Sequence, residues 1–136
     1  MDQATDAPAV AGKPRIHLMI EGATLLLIAT GFFAANGASW WLYAALILAP
    51  DIAMAGYLAG PRKGAAIYNA FHNIVGPVLL AHVDFVSGTT LGVPLALIWA
   101  AHIGLDRMLG IGLKYDAGFG FTHLGFVGRA SAAQKA

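Results

Sequence analysis

The residues able to do chemistry in this chain are few, and they sit where they are costly. His17, Glu21, Asp51, Asn69, His72, Asn73, His102, Asp106 and Arg107 interrupt otherwise apolar stretches. His17 and Glu21 stand at i and i+4, as do His102 and Asp106, so each pair shares one face of a helix. Asn69, His72 and Asn73 stand at i, i+3 and i+4 and do the same. Imidazoles and carboxylates gathered from several helices suit three chemistries. One is metal binding, with His72, His102, Asp106, Glu21 and Asp51 as candidate ligands and a divalent metal as the cofactor. The paired Glu-x-x-His of di-iron bundles is absent, so spacing does not specify which metal. Another is a proton or small-solute pathway that uses the histidines and carboxylates as a relay. The third is a structural network, in which Arg107 pairs with Asp51 or Asp106 while Asn69 and Asn73 clamp helices together.

The elements that must position these residues follow from composition. Hydrophobic residues make up 58% of the 136 residues and charged ones 11%. Soluble domains usually carry about 25% charge, so a soluble globule and a disordered chain are both disfavoured. A net charge of +1 with no basic patch disfavours nucleic-acid binding. With no cysteine, there is no disulfide framework and no thiolate ligand. The apolar stretches cover residues 16–35, 40–60, 64–83 and 90–105. At about 20 residues each, they match a hydrocarbon core of about 30 Å. Residues 25–28 and 44–49 are apolar all round, which removes the polar outer stripe of a soluble bundle. The first stretch follows a polar leader and contains Glu21, unlike the uncharged core of a signal peptide.

Lys13, Arg15, Arg62, Lys63, Arg107, Lys114, Arg129 and Lys135 all fall on one side of such a four-span arrangement. The intervening loops, residues 36–39 and 84–89, hold no Lys or Arg. The positive-inside rule then places both termini in the cytoplasm. Trp40, Trp41 and Tyr43 suit the outer interface and Tyr57 the inner one. Gly22, Gly31, Ala53, Gly56 and Gly60 would permit close helix approach. Pro50, Pro77 and Pro94 would each remove a backbone hydrogen bond within a span.

In this topology Glu21 lies roughly 8 Å from the inner surface, His72 roughly 12 Å and Asp51 roughly 14 Å. His102 and Asp106 fall at comparable depth. These groups therefore share the cytoplasmic half and leave the outer half nearly free of such residues, which predicts one polar pocket opening inward. After the last span, residues 110–125 are too rich in glycine for a stable helix. This segment either rests its Phe119, Phe121 and Phe126 on the interface or folds under the bundle. In the second arrangement Lys114, Asp116 and His123 cap the pocket.

The run His102-Ile103-Gly104-Leu105-Asp106-Arg107 is followed by Gly110-Ile111-Gly112-Leu113-Lys114-Tyr115, then Gly118-Phe119 and Thr122-His123-Leu124-Gly125. Together with Tyr68-Asn69 and His72-Asn73, it resembles the signature of a family of small bacterial membrane proteins, domain of unknown function 4260. The resemblance runs from the first span to Gly125. It implies a four-helix integral membrane protein and carries no activity with it.

The expected fold is all-α: a polytopic, four-transmembrane-helix, up-down-up-down bundle in the inner (plasma) membrane. Residues 1–15 form a flexible cytoplasmic leader, 16–109 the transmembrane domain, 110–128 a cytoplasmic Gly/aromatic segment and 129–136 a flexible tail. The pocket candidates are Glu21, Asp51, Asn69, His72, Asn73, His102, Asp106, Arg107, Lys114 and His123. The leading reading is a non-enzymatic protein whose pocket binds a small ligand or ion. The alternative is a membrane-embedded metal-dependent enzyme or a proton or solute pathway using the same residues. The partners this reading allows are the lipid bilayer, other membrane proteins and a second copy of the chain, with no nucleic acid.

Overall fold

A computed structural model describes residues 8–131, so expectations for residues 1–7 and 132–136, Lys135 among them, lie outside the described residues. The chain is mostly helical. Helix α1 (Gly12–Asn36) ends on Gly37, whose left-handed φ of 80° closes the helix. Helix α2 (Trp40–Leu46) starts on Ser39, whose hydroxyl accepts from the Trp41 amide. It passes into a 3₁₀ helix (Ala49–Ala59) with Pro50 in its first turn. Helices α3 (Pro61–Phe71) and α4 (Val75–Ser87) follow, with a 40° bend between them. Helix α5 (Gly92–Met108) leads into a short antiparallel ladder of β1 (Phe121–Thr122) and β2 (Gly125–Phe126), in which Phe121 opposes Phe126.

Two helices, Gly12–Asn36 and Trp40–Ala59, are long and apolar enough to cross a membrane, and α3 with α4 makes a third if the bent pair is one span. Helix α5 has 17 residues and is the most buried element, packed against both α1 and α4. The four sequence-predicted spans are therefore not four uniform helices. The second changes to 3₁₀ pitch where Pro50 withholds its N–H, and the third breaks at residues 72–74.

Large apolar side chains lie on the surface while several polar ones lie inside. Leu58 is 94% exposed, Trp41 86% and Phe85 83%, while His102 is 0% exposed and His72 and Asp84 3%. Among the expected small-residue contacts, Gly22 packs tightly on Arg107, Gly56 meets Ile67, and Gly31 faces open space. At the other end of the bundle, Asp84 is not in a loop, as the charge pattern suggests, but in the last turn of α4. Its carboxylate accepts from the Val93 amide at 2.6 Å and from the Thr89 hydroxyl. It thus satisfies a free N–H at the start of α5.

The segment after α5 folds back under the helices. Asn69 clamps it: the Asn69 amide donates to the Lys114 carbonyl at 2.9 Å, and its oxygen accepts from the Lys114 N–H at 2.7 Å. The end of the leader joins the same structure, with the Val10 amide donating to the His123 carbonyl at 2.8 Å and Arg15 to the Leu124 carbonyl.

Candidate functional site

Two helix interruptions build the site. In a continuous helix the Ile47 carbonyl would accept from the Asp51 amide. Here that amide turns to Leu48 at 3.1 Å, and Pro50 offers no donor. The freed Ile47 carbonyl instead accepts from His102 Nδ1 at 2.7 Å. The same event recurs at the end of α3. The His72 amide turns to Asn69, which leaves the Tyr68 carbonyl to accept from His72 Nδ1 at 2.8 Å. Asn73 holds this break, donating to the Asn69 carbonyl at 2.7 Å and accepting from the Val75 amide at 2.9 Å.

Carbonyl oxygens only accept, so each of these bonds places a proton on Nδ1. Both Nε2 atoms of the neutral rings then carry lone pairs, and they face each other at 3.1 Å. Asp51 Oδ1 lies 3.3 Å from each of them. Asp106 Oδ2 lies 3.6 Å from His72 Nε2 and 3.5 Å from His102 Nε2. One ligand atom from each of the four residues falls within 4.8 Å of all the others. Two lone pairs so close repel unless a cation lies between them, and the carboxylates on either side favour one.

The geometry fits a metal ion. With bonds of about 2.0–2.2 Å, a tetrahedral ion separates its ligand atoms by about 3.3–3.6 Å. The outer partners are those of a metal site: carbonyls orient both imidazoles, and the Tyr68 hydroxyl donates to Asp106 Oδ2 at 3.1 Å. The Tyr68 ring stacks on His72 with centroids 3.6 Å apart, fixing that ring against rotation. The side chains of His102 and His72 are 1% and 3% exposed, Asp106 13% and Asp51 31%, so the cluster is most open beside Asp51.

The remaining sequence candidates surround this group or stand apart from it. Glu21, expected among the ligands, is exposed on α1 and lines a separate cavity with Asn73 and Arg107. The cause is packing: α1 lies against α5 through Gly22, beside Arg107 rather than beside His102. His17 is also exposed. Arg107 pairs with neither Asp51 nor Asp106. It donates to the His72 carbonyl at 3.1 Å and approaches His123 Nε2 at 3.4 Å. Asn69 and Asn73 serve the clamp and the helix break already described.

Lys114 is buried, with its ammonium 3.9 Å from the Phe119 ring centre and 4.7 Å from that of Tyr68, donating to the Phe119 carbonyl at 2.8 Å. Burial pushes the Lys114 pKa down, while Asp106 and Asp51 pull it back up. His123 Nδ1 accepts from the Leu113 amide at 2.9 Å, and burial followed by the Arg107 charge lowers its pKa. Asp116, expected with these two as a cap, is exposed and pairs with Arg62 at 3.6 Å. Tyr68 is absent from the sequence candidates, yet it touches both a histidine and a carboxylate of the cluster. Its position four residues before His72 is the signal that the sequence offers.

Comparison with curated proteins and with solved structures gives no match. A family model described as Domain of unknown function (DUF4260) matches residues 15–127, and the chain belongs to that family.

Proposed function

We propose that this is a polytopic inner-membrane protein that holds a divalent transition metal inside its helical bundle. Asp51, His72, His102 and Asp106 are the ligands. One observation carries the metal reading: the two imidazole Nε2 atoms meet at 3.1 Å with both Nδ1 atoms committed to carbonyl acceptors. Two imidazoles and two carboxylates suit zinc, iron or manganese better than a soft thiolate-seeking ion. Four protein ligands describe a protein that binds an ion. The opening beside Asp51 leaves room for the enzymatic alternative, in which a substrate takes a further position.

Purified in mild detergent and loaded with zinc, the protein is expected to retain about one metal per chain by elemental analysis. Less than about one-tenth metal per chain after loading would overturn the reading. The same N···N distance also accommodates a shared proton, with one histidine as imidazolium and the carboxylates as counter-ions. That rival predicts full-length, folded protein with no metal and an imidazolium signal in nitrogen NMR.

The membrane reading rests on large apolar side chains exposed along α1, α2, the 3₁₀ helix, α3 and α4 while His72, His102 and Asp84 are buried. The passes are α1, α2 with the 3₁₀ helix, α3 with α4, and α5, with both termini cytoplasmic. The cysteine-free sequence makes the test direct. Single cysteines at Arg62 and Arg129 are expected to resist a membrane-impermeant thiol reagent in intact cells, while cysteines at Gly37 and Gly88 react. Labelling at Arg62 equal to that at Gly37 would refute this orientation.

A further inference from the structure

A cavity of about 310 Å³ lies where α1, α5 and the break between α3 and α4 meet, and none of the four cluster residues lines it. Its size is at the lower end for small-molecule sites. Two side chains of opposite charge line it, Glu21 of α1 and Arg107 in the last turn of α5. They stand at one level of the bundle, because Gly22 packs directly on Arg107. They do not neutralise each other, since the ion pairs among the described residues include neither. Among the described residues no other charge lines the cavity. Arg107 has five donors and meets two acceptors among the described residues, the His72 carbonyl and His123 Nε2.

The walls beyond this pair are apolar. Leu25 stands four residues after Glu21 and Ile103 four before Arg107, and both line the cavity. Gly22 meets Arg107 while Gly104 meets Leu26, so α1 and α5 run antiparallel. Leu25 and Ile103 therefore both lie one turn, about 6 Å, farther from the cytoplasmic ends than the charges do. Glu21 and Ile74 are exposed at the rim, and so are Ile20 beside Glu21 and Val78 one turn after Ile74. The cavity thus opens on an apolar surface.

We infer that this cavity binds an inner-leaflet phospholipid whose headgroup carries both a phosphate and a primary ammonium. The phosphate meets Arg107, the ammonium meets Glu21, and the start of an acyl chain runs along Leu25 and Ile103. The inference rests on the membrane reading and is independent of the metal. A guanidinium donates charge-assisted, bidentate bonds to a phosphate, and a primary ammonium offers three donors to a carboxylate. A headgroup with one sign of charge would satisfy one of the two side chains and be repelled by the other. Phosphatidylethanolamine has both groups. Phosphatidylcholine has no ammonium N–H, and phosphatidylglycerol has no cation.

Native mass spectrometry of the full chain in mild detergent tests the inference, with these three lipids present in equal amounts and with identical chains. Phosphatidylethanolamine is expected to be retained about fivefold more than either of the others. Glu21→Gln, at an exposed position, is expected to bring its retention to within about twofold of phosphatidylglycerol. Glu21→Lys puts a second cation beside Arg107 and is expected to reverse the preference toward phosphatidylglycerol. Glycerophosphoethanolamine, the same headgroup without chains, is expected to bind at least about 100-fold more weakly than the lipid.

Retention of either other lipid within about twofold of phosphatidylethanolamine by the parent chain overturns the inference, as does a preference unchanged in Glu21→Gln. Equal affinity for glycerophosphoethanolamine identifies a free zwitterion as the ligand and overturns the lipid assignment. The thiol labelling at Arg62 and Gly37 decides the membrane reading separately, so failure of the lipid preference in a chain that labels as expected counts against this inference alone.

Discussion

Replacing His102 with alanine is expected to abolish stable metal retention. The substitution removes one of four converging ligand atoms, and it does more than that. His102 Nδ1 is the partner of the Ile47 carbonyl, and that carbonyl has lost its helical donors to Pro50 and to the 3₁₀ pitch. The substitution thus leaves a buried acceptor unpaired, at a cost of about 1–3 kcal/mol. Affinity for zinc or cobalt is expected to fall by more than about 100-fold, the upper end of what loss of an outer-shell partner does. His102→Asn separates the two effects. Its amide can still donate to Ile47, but it cannot replace the imidazole lone pair, so the fold is retained while the metal is lost. Metal content measured beside the unfolding midpoint distinguishes these outcomes. If His102→Ala binds metal as tightly as the parent chain, His102 is not a ligand and the cluster is a hydrogen-bond network.

All four cluster residues are legible in the sequence, for simple reasons. His102 and Asp106 are tied by helical spacing, and the uncharged stretch around His72 leaves no other imidazole on its face. Asp51 is visible too, as the lone charge of its span. What spacing cannot convey is pitch. The change to a 3₁₀ helix at Pro50 alters both rotation and rise per residue, and it alone decides that Asp51 meets His102 and that Ile47 frees a carbonyl. Glu21 is misplaced by the sequence because depth is a one-dimensional argument. It lies at the right level, yet the glycine contact at Gly22 turns α1 so that Glu21 borders Arg107. Asp84 reads as loop because charge marks loops in a membrane protein, whereas here the carboxylate caps the start of α5. The sequence leaves the fold of residues 110–126 between two alternatives, since the Asn69–Lys114 clamp joins residues 45 apart in sequence.

The close approach of α1 and α5 gives a second large expected effect, at a residue that touches no ligand. A Cβ built on Gly104 would lie 2.6 Å from the Leu26 nitrogen and 2.7 Å from the Gly22 oxygen, both backbone atoms with no rotamer to yield. Gly104→Val must therefore push the two helices apart. Overpacking of this kind costs about 1–3 kcal/mol, and more where backbone has to move. Small-residue contacts are a main source of helix association in lipid, so little else compensates. Helix α5 carries His102 and Asp106, while Asp51 and His72 come from other elements. Displacing α5 thus pulls the four ligand atoms out of register. Gly104→Val is expected to lower the unfolding midpoint in detergent and to weaken metal binding by about tenfold or more, in line with outer-shell damage. Gly31→Val is the matched control: the same helix pair, the same substitution, but nothing within 4 Å of the new Cβ. If the two variants unfold at the same temperature and bind metal alike, the α1–α5 contact does not hold the centre in place.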